Sequence, residues 1–229
     1  MSQGLWSEVD EYVGELLLGD DPVLEAVLEA SAAGGLPSIA VSAPQGKLLH
    51  LLARIHGAKR ILEVGTLGGY STIWLARALP PGGHLTTLEL NPRYATVAQA
   101  NVERAGLAGL IDIRVGWAIE SLRALIAEQP DPFDMVFIDA DKQSTPEYFA
   151  AALELSREGG VIVVDNVVRG GGLIDPGTRD PGTQGMRRFH ELLASEPRVS
   201  ATTIQTVGDK GYDGLTVVLI EAVPSLHGT

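Results

Sequence analysis

The sequence predicts an α/β fold: a doubly wound, mostly parallel sheet of seven strands, with extra helices at its N-terminal end. Three observations carry this. From residue 60 onward, short apolar runs alternate with amphipathic segments. The runs are apolar on both faces, as strands of a parallel sheet covered by helices must be. The first 58 residues, by contrast, show helical spacing only.

In the helical segment, Val9, Tyr12, Val13, Leu16 and Leu17 recur at helix spacing behind Ser7, which predicts a helix capped at that serine. Asp21-Pro22 reads as a cap followed by a proline in the first turn, where a missing N–H costs nothing. It opens a second helix through Val23, Leu24, Val27 and Leu28, ended by Ala33-Gly34-Gly35. Ser42, with Gln45 three residues on, forms a capping box for a third. Leu48, Leu49, Leu51, Leu52 and Ile55 give that helix an expected buried face, and Gly57 is its stop.

The predicted strands are 60–64, 84–90, 111–115, 133–138 and 160–164. Asn91-Pro92 and Thr145-Pro146 start helices between them, and Gly106 ends one. Two further strands, 199–207 and 215–222, are separated by Gly208, Gly211 and Gly214. That spacing suits a hairpin-like return, so one strand of the sheet should be antiparallel. Two loops stand out: 167–185, rich in glycine with Pro176 and Pro181, and 208–214. Long loops at the carboxyl ends of a parallel sheet commonly carry function.

A length of 229 residues fits one domain, with 1–58 as a helical cap segment and 59–229 as the α/β core. Hydrophobic residues make up 45%, enough for a sizeable core. The chain has no cysteine, which excludes disulfides, thiolate metal sites and cysteine nucleophiles. A formal net charge of −12 repels a polyphosphate backbone, so a nucleic-acid substrate is not expected. No signal peptide is read, and no apolar run is long enough to cross a bilayer. A cytoplasmic location is the expectation.

The first predicted strand ends Leu62-Glu63-Val64-Gly65 and is followed by Thr66-Leu67-Gly68-Gly69-Tyr70-Ser71. Glycines at such a turn let the backbone bend sharply and approach a ligand, and the next helix offers unpaired amides. Any doubly wound protein needs a tight turn here, so the glycines alone decide little. A dinucleotide fingerprint, G-x-G-x-x-G, would place its second glycine where this chain has Leu67. Glu89 ends the second strand, where a carboxylate can accept bonds from two ribose hydroxyls or simply be solvated.

The fourth strand ends Phe137-Ile138-Asp139-Ala140-Asp141-Lys142 and the fifth Val163-Val164-Asp165-Asn166. If these strands are neighbours, Asp139, Asp165 and Asn166 lie side by side at the carboxyl edge of the sheet, where such folds bind ligands. Two carboxylates and an amide oxygen make a hard, all-oxygen site suited to magnesium or a similar divalent cation. A single strand-end aspartate is usually a loop-starting cap; three donors after a cofactor-type turn are better read as a site. The histidines (His50, His56, His84, His190 and His227) are not spaced as ligand pairs and receive no chemistry. Arg169, Arg179, Arg187 and Arg188, in or after the long loop, could meet an anionic substrate, although loop arginines are usually solvated.

The segment from Glu63 to Ser71 resembles the first motif of class I S-adenosylmethionine-dependent methyltransferases, in particular the catechol and caffeoyl-CoA O-methyltransferases. The similarity runs from Ser42-Ala43-Pro44-Gln45-Gly46 to Tyr212-Asp213-Gly214, nearly the whole chain. It implies a Rossmann-like methyltransferase fold and a homodimer. By position, Glu63, Gly65, Thr66 and Ser71 would hold the methionine part of the cofactor and Glu89 its ribose. Gly116-Trp117-Ala118 resembles the adenine turn, with Ala118 acting through its backbone and Val41 capping the site. Trp117 would flank the adenine or pack locally, packing being the simpler reading. Asp139-Ala140-Asp141-Lys142 followed by Asp165-Asn166 resembles the signature of caffeoyl-CoA-type members. Asp141 would then face the amino-acid end of the cofactor, and Asp139 would serve cofactor, metal and catalysis.

The resemblance implies methyl transfer by direct displacement to a small phenol whose two adjacent hydroxyls chelate the ion. Lys142 would be the proton acceptor. It can accept only as the neutral amine, which a neighbouring cation favours and Asp141 opposes, so a charged lysine steering the phenolate is the alternative. A nicotinamide-dependent oxidoreductase and an inactive binding homologue are the rival readings. Leu67 and the otherwise unexplained aspartates argue against the first, and retention of Asp139, Asp165, Asn166 and Lys142 against the second.

Overall fold

A computed structural model describes residues 2–222; His227 lies outside them. The chain runs α1 (Gln3–Leu17), α2 (Pro22–Ala33), α3 (Ala43–His56), β1 (Arg60–Val64), α4 (Tyr70–Ala76), β2 (His84–Glu89), α5 (Pro92–Arg104) and β3 (Ile111–Val115). It continues α6 (Ala118–Glu128), β4 (Phe133–Ile138), α7 (Thr145–Leu155), β5 (Ser156–Asp165), α8 (Pro181–Ser195), β6 (Val199–Gly208) and β7 (Gly211–Ile220). One seven-stranded sheet results, in the order β3-β2-β1-β4-β5-β7-β6. β7 runs antiparallel to both its neighbours, and the other pairs are parallel. The chain therefore goes one way from β1 to β2 and the other way to β4. The crevice at that switch, beyond the carboxyl ends of β1 and β4, is where an open α/β sheet takes its ligand.

Alternation along β1 shows how the sheet is covered. Ile61 packs on the face with Leu49 of α3 and Ile73 and Leu75 of α4. Leu62 and Val64 pack on the other, with Leu122 of α6, Phe149 of α7 and Phe189 of α8. Burying apolar area at roughly 25 cal/mol per Å² on both faces is what holds central strands in place.

Several boundaries differ from the sequence reading. Ser7 lies inside α1, whose N-cap is Ser2. The fifth strand begins at Ser156, four residues early. Residues 211–214 belong to β7, leaving Asp209 and Lys210 as the turn of the hairpin. α8 starts at Pro181, capped by Asp180, so the long loop is shorter than expected and contains a 3-10 turn, Arg169–Ile174.

The expected buried face of α3 reduces to Leu49, with Gly46 and Ala53. Leu48 and Leu51 are exposed, and Ile55 is 82% exposed. On α1, Val9, Tyr12, Val13, Leu16 and Leu17 are all exposed. The helix is instead tied down through polar groups: Gln3 Nε2 donates to the carbonyls of Gly208 (2.8 Å) and Asp209 (3.0 Å), and Asp10 Oδ2 accepts from the Asp209 amide (2.9 Å).

Candidate active site

The first turn of the site is fixed by main-chain crowding. Gly65 has φ +104, and a Cβ there would lie 2.2 Å from the carbonyl oxygen of Asp139. Only glycine fits that conformation and that approach. Gly65 N–H donates to Leu88 O at 3.0 Å and Asp139 N–H to Val64 O at 2.8 Å, so the ends of β2, β1 and β4 meet here. Leu67, in place of the dinucleotide-type glycine, adopts φ +51. Its amide donates to Glu89 Oε2 at 2.8 Å, while Glu89 Oε1 accepts from Asn91 N–H at 2.8 Å. The Glu89 carboxylate is thereby oriented at the end of β2, with lone pairs left over for a ligand's hydroxyls.

Beyond these turns lies a cavity of about 590 Å³. Val41, Gly65, Thr66, Ser71, Glu89, Ala118, Asp139 and Asp141 line it, as do Lys142 and Asn166. Tyr94, Trp117, Tyr148 and Arg169 are further lining residues. Trp117 is 63% exposed and stands on the cavity wall, so the simpler expectation of local packing was wrong. Asp141 caps the turn before α7 by accepting from Ser144 N–H at 3.0 Å, and its other oxygen accepts from the Tyr148 hydroxyl. Burial and this aspartate raise the Tyr148 pKa and keep the phenol protonated. No sequence periodicity marks Tyr148 as a site residue; it comes from the first turns of α7.

Glu63 is not among the residues lining this cavity. It is fully buried beneath the floor, on the α4 side of β1. Its carboxylate accepts from Ser71 Oγ (2.7 Å), Thr72 Oγ1 and Thr87 Oγ1 (2.7 Å). Its link to the cavity runs through Ser71, which lines it. Burial pushes its carboxyl up to about 7, against the three hydroxyls that favour the ionised form; the charge of Asp139 adds to the rise. A folded-state value above the ordinary glutamate value means that the associated stability is complete at acidic pH and is lost as pH rises through about 7. Glu63→Gln is expected to flatten that slope. Thr87 can turn its hydroxyl towards Thr66 Oγ1, 2.6 Å away, and accept from the new amide. Urea unfolding should show parent and variant close at pH 5 and the variant ahead by about 2–3 kcal/mol at pH 8. Equal slopes for the two proteins would contradict this account.

At the other end of the cavity, Lys142 Nζ donates to Asp139 Oδ1 at 2.6 Å. Asp165, at the end of β5, is buried and accepts from the Asn166 amide at 2.7 Å. Asn166 sits at φ +56, a left-handed conformation that asparagine tolerates better than most residues. Parallel pairing of β4 with β5 sets Ile138 opposite Val164, which places Asp139 and Asp165 at neighbouring strand ends. Burial and then the charge of Asp139 raise the Asp165 pKa, and Lys142 partly offsets them. Two carboxylates at neighbouring strand ends, one followed directly by an asparagine, are hard oxygen donors of the kind a divalent cation takes. Among the described residues no group of three or more His, Asp or Glu side chains is placed to hold a metal ion. Asp165 opens onto a second cavity of about 250 Å³, shared with Asp10, Ser42, Gln45 and the β6–β7 turn, and Asn166 lines both.

Three of the described histidines are engaged elsewhere. His50 pairs with the Trp74 carbonyl, His56 with Arg157, and His190 with Met186 O and Thr203. Among the described residues, no helix is long and apolar enough to cross a membrane.

Comparison with known proteins identifies the family. The O-methyltransferase family matches residues 15–219. A catechol O-methyltransferase of Niastella koreensis is 49% identical over 221 residues, covering 96% of this chain and all of that protein. The crystal structure of an O-methyltransferase from Bacillus cereus in complex with SAH has a TM-score of 0.95 at 53% identity, covering 96% of this chain and 100% of that one. TomG from Streptomyces achromogenes, an O-methyltransferase involved in tomaymycin synthesis and solved with SAM, gives 0.94 at 54%, covering 97% and 100%. With a family match over residues 15–219 and nearly its whole length covered by these enzymes, the chain belongs to the S-adenosylmethionine-dependent O-methyltransferase family.

Proposed function

We propose that this enzyme methylates one hydroxyl of a small phenol bearing two adjacent hydroxyls, with magnesium held by Asp139, Asp165 and Asn166. One observation carries the reading: Asp139 and Asp165 stand at neighbouring strand ends, Asp139 on the wall of the larger cavity and Asp165 on that of the smaller, and Asn166 lines both. The name of the Niastella koreensis relative, catechol O-methyltransferase, points the same way. When bound, S-adenosylmethionine supplies a methyl group on a positively charged sulfur, and magnesium supplies positive charge and adjacent positions for two acceptor oxygens.

The chain's own residues orient and deprotonate. Glu89 is aimed by the Leu67 and Asn91 amides to accept from the ribose hydroxyls. Asp141, steadied by Tyr148 and Ser144, faces the cofactor's amino group. Ala118 and Val41 bound the cavity, while Gly65 and Thr66 bring main chain close to the methionine end. Lys142 receives the proton of the attacking hydroxyl, which requires it first to leave Asp139 and shed its own proton. Held by these residues, S-adenosylmethionine would supply its methyl group to the acceptor oxygen once that proton is gone, and would leave as the uncharged thioether. Near-attack positioning of this kind can supply roughly 7–11 kcal/mol.

Calorimetry with S-adenosylhomocysteine and with NAD, followed by methyl transfer to catechol with magnesium and with EDTA, tests the reading. The expected result is binding of S-adenosylhomocysteine but not NAD, and transfer that stops in EDTA and returns with magnesium. Full activity in EDTA would remove the metal from the mechanism.

A further inference from the structure

The arginines in and after the 167–185 segment separate cleanly in the structure. Arg187 donates to Leu173 O at 2.9 Å, Arg188 donates to Gln143 O at 3.0 Å, and Arg179 is exposed. Arg169 is different. It lines the main cavity together with Lys142 and Asn166. Its Nε is buried and has no hydrogen-bond partner. The Asp180 carboxylate is 3.9 Å from its Nη2, beyond hydrogen-bond reach, and the facing oxygen already accepts from Thr183 N (2.7 Å) and Thr183 Oγ1 (2.6 Å).

The main chain beneath this side chain is held with unusual firmness. Arg169 has φ +57, a conformation that a long side chain rarely adopts without compensation. Asp213 Oδ1 provides it, accepting from the amides of both Val168 and Arg169 at 2.9 Å. A buried guanidinium edge without an acceptor, set on a strained and anchored backbone, is an arrangement that a bound anion would complete. The neighbouring cation is already engaged, because Lys142 lies 2.6 Å from Asp139. A guanidinium offers five donors in a flat fork that matches a carboxylate. Arg169 follows Asn166 by three residues, so their Cα atoms are at most about 11 Å apart. That is within reach of one aromatic acceptor touching both.

We propose that Arg169 is a specificity-determining residue that binds a carboxylate on the methyl acceptor, so that the preferred acceptors are vicinal diphenols carrying a carboxylate group. The assignment rests on the diphenol reading given above. It is tested by calorimetry on enzyme loaded with S-adenosylhomocysteine and magnesium, using 3,4-dihydroxybenzoate and neutral catechol as ligands. The parent should bind the benzoate on the order of 10–100-fold more tightly than catechol, as expected of charge-assisted bonds to a half-buried fork. R169Q should abolish most of that preference and leave catechol binding within about twofold, while R169K, which keeps the charge without the fork, should retain part of it. Thermal unfolding of R169Q shows whether the loop has kept its fold. No preference in the parent, or an equal loss for both ligands in a folded R169Q, overturns the assignment alone. If neither ligand binds, the diphenol reading fails and this assignment falls with it.

Discussion

Asp165→Asn is expected to lower kcat/KM for a catechol on the order of 10²–10³-fold, with S-adenosylhomocysteine binding unchanged. The separation of the two effects follows from placement. Asp165 faces the smaller cavity and is absent from the lining of the larger one, whereas Asp139 faces the larger. Asparagine keeps an oxygen that can accept from the Asn166 amide, so the end of β5 should hold its shape. What is lost is one of the two negative charges that would hold a divalent ion. The magnesium concentration for half-maximal rate should therefore rise, and the loss should shrink at high magnesium. A variant with normal kinetics, or one that loses cofactor affinity in step with activity, would contradict the metal assignment.

Gly65→Ala should damage both halves of the site together. A Cβ at this position would stand 2.2 Å from the Asp139 carbonyl oxygen and 2.8 Å from its carbonyl carbon, both main-chain atoms that no rotamer change can move away. Strain at φ +104 adds to the overlap. Together these should cost about 2–5 kcal/mol, or about 5–15 °C in Tm for a domain of this size. Calorimetry should show weakened S-adenosylhomocysteine binding, and the magnesium requirement should rise as well, because the displaced group is Asp139. Gly69→Ala is the control. It shares a positive φ of +85, but its Cβ would meet nothing nearer than 3.6 Å, so it should cost only the backbone strain. If the two variants behave alike, the crowding argument fails.

The legibility of this site in the sequence depended on how local each residue's placement is. Gly65, Glu89, Asp139, Asp165 and Asn166 all sit at or just after strand ends, and in a doubly wound sheet the carboxyl ends of β1, β4 and β5 converge by topology. A strand boundary and a connection rule are enough to gather them. Glu63 shows the limit of reading by position. It shares a strand face with Ile61, and that face turns to α4, so its carboxylate supports the site from below. Tyr94, Tyr148 and Arg169 depend on how helices and a 3-10 turn rotate against the sheet, which no spacing reports. Apolar periodicity misled in the opposite direction on α1 and α3. It identifies a face, and it is silent on whether the same chain covers that face.

The strap between α1 and the β6–β7 hairpin has a temporal meaning. Its partners, residues 3 and 10 against 208 and 209, are separated by 199 to 206 positions in sequence. While the protein is being made, α1 has to wait for the β6–β7 hairpin before it can dock. The residues that gather around the larger cavity, from Pro37 to Arg169, are all synthesised before that event. The smaller cavity needs Asp10, Lys210 and Asp213 together. Of the two chambers flanking Asn166, the larger has all its walls available before the β6–β7 hairpin is made, and the smaller closes only when that hairpin meets α1.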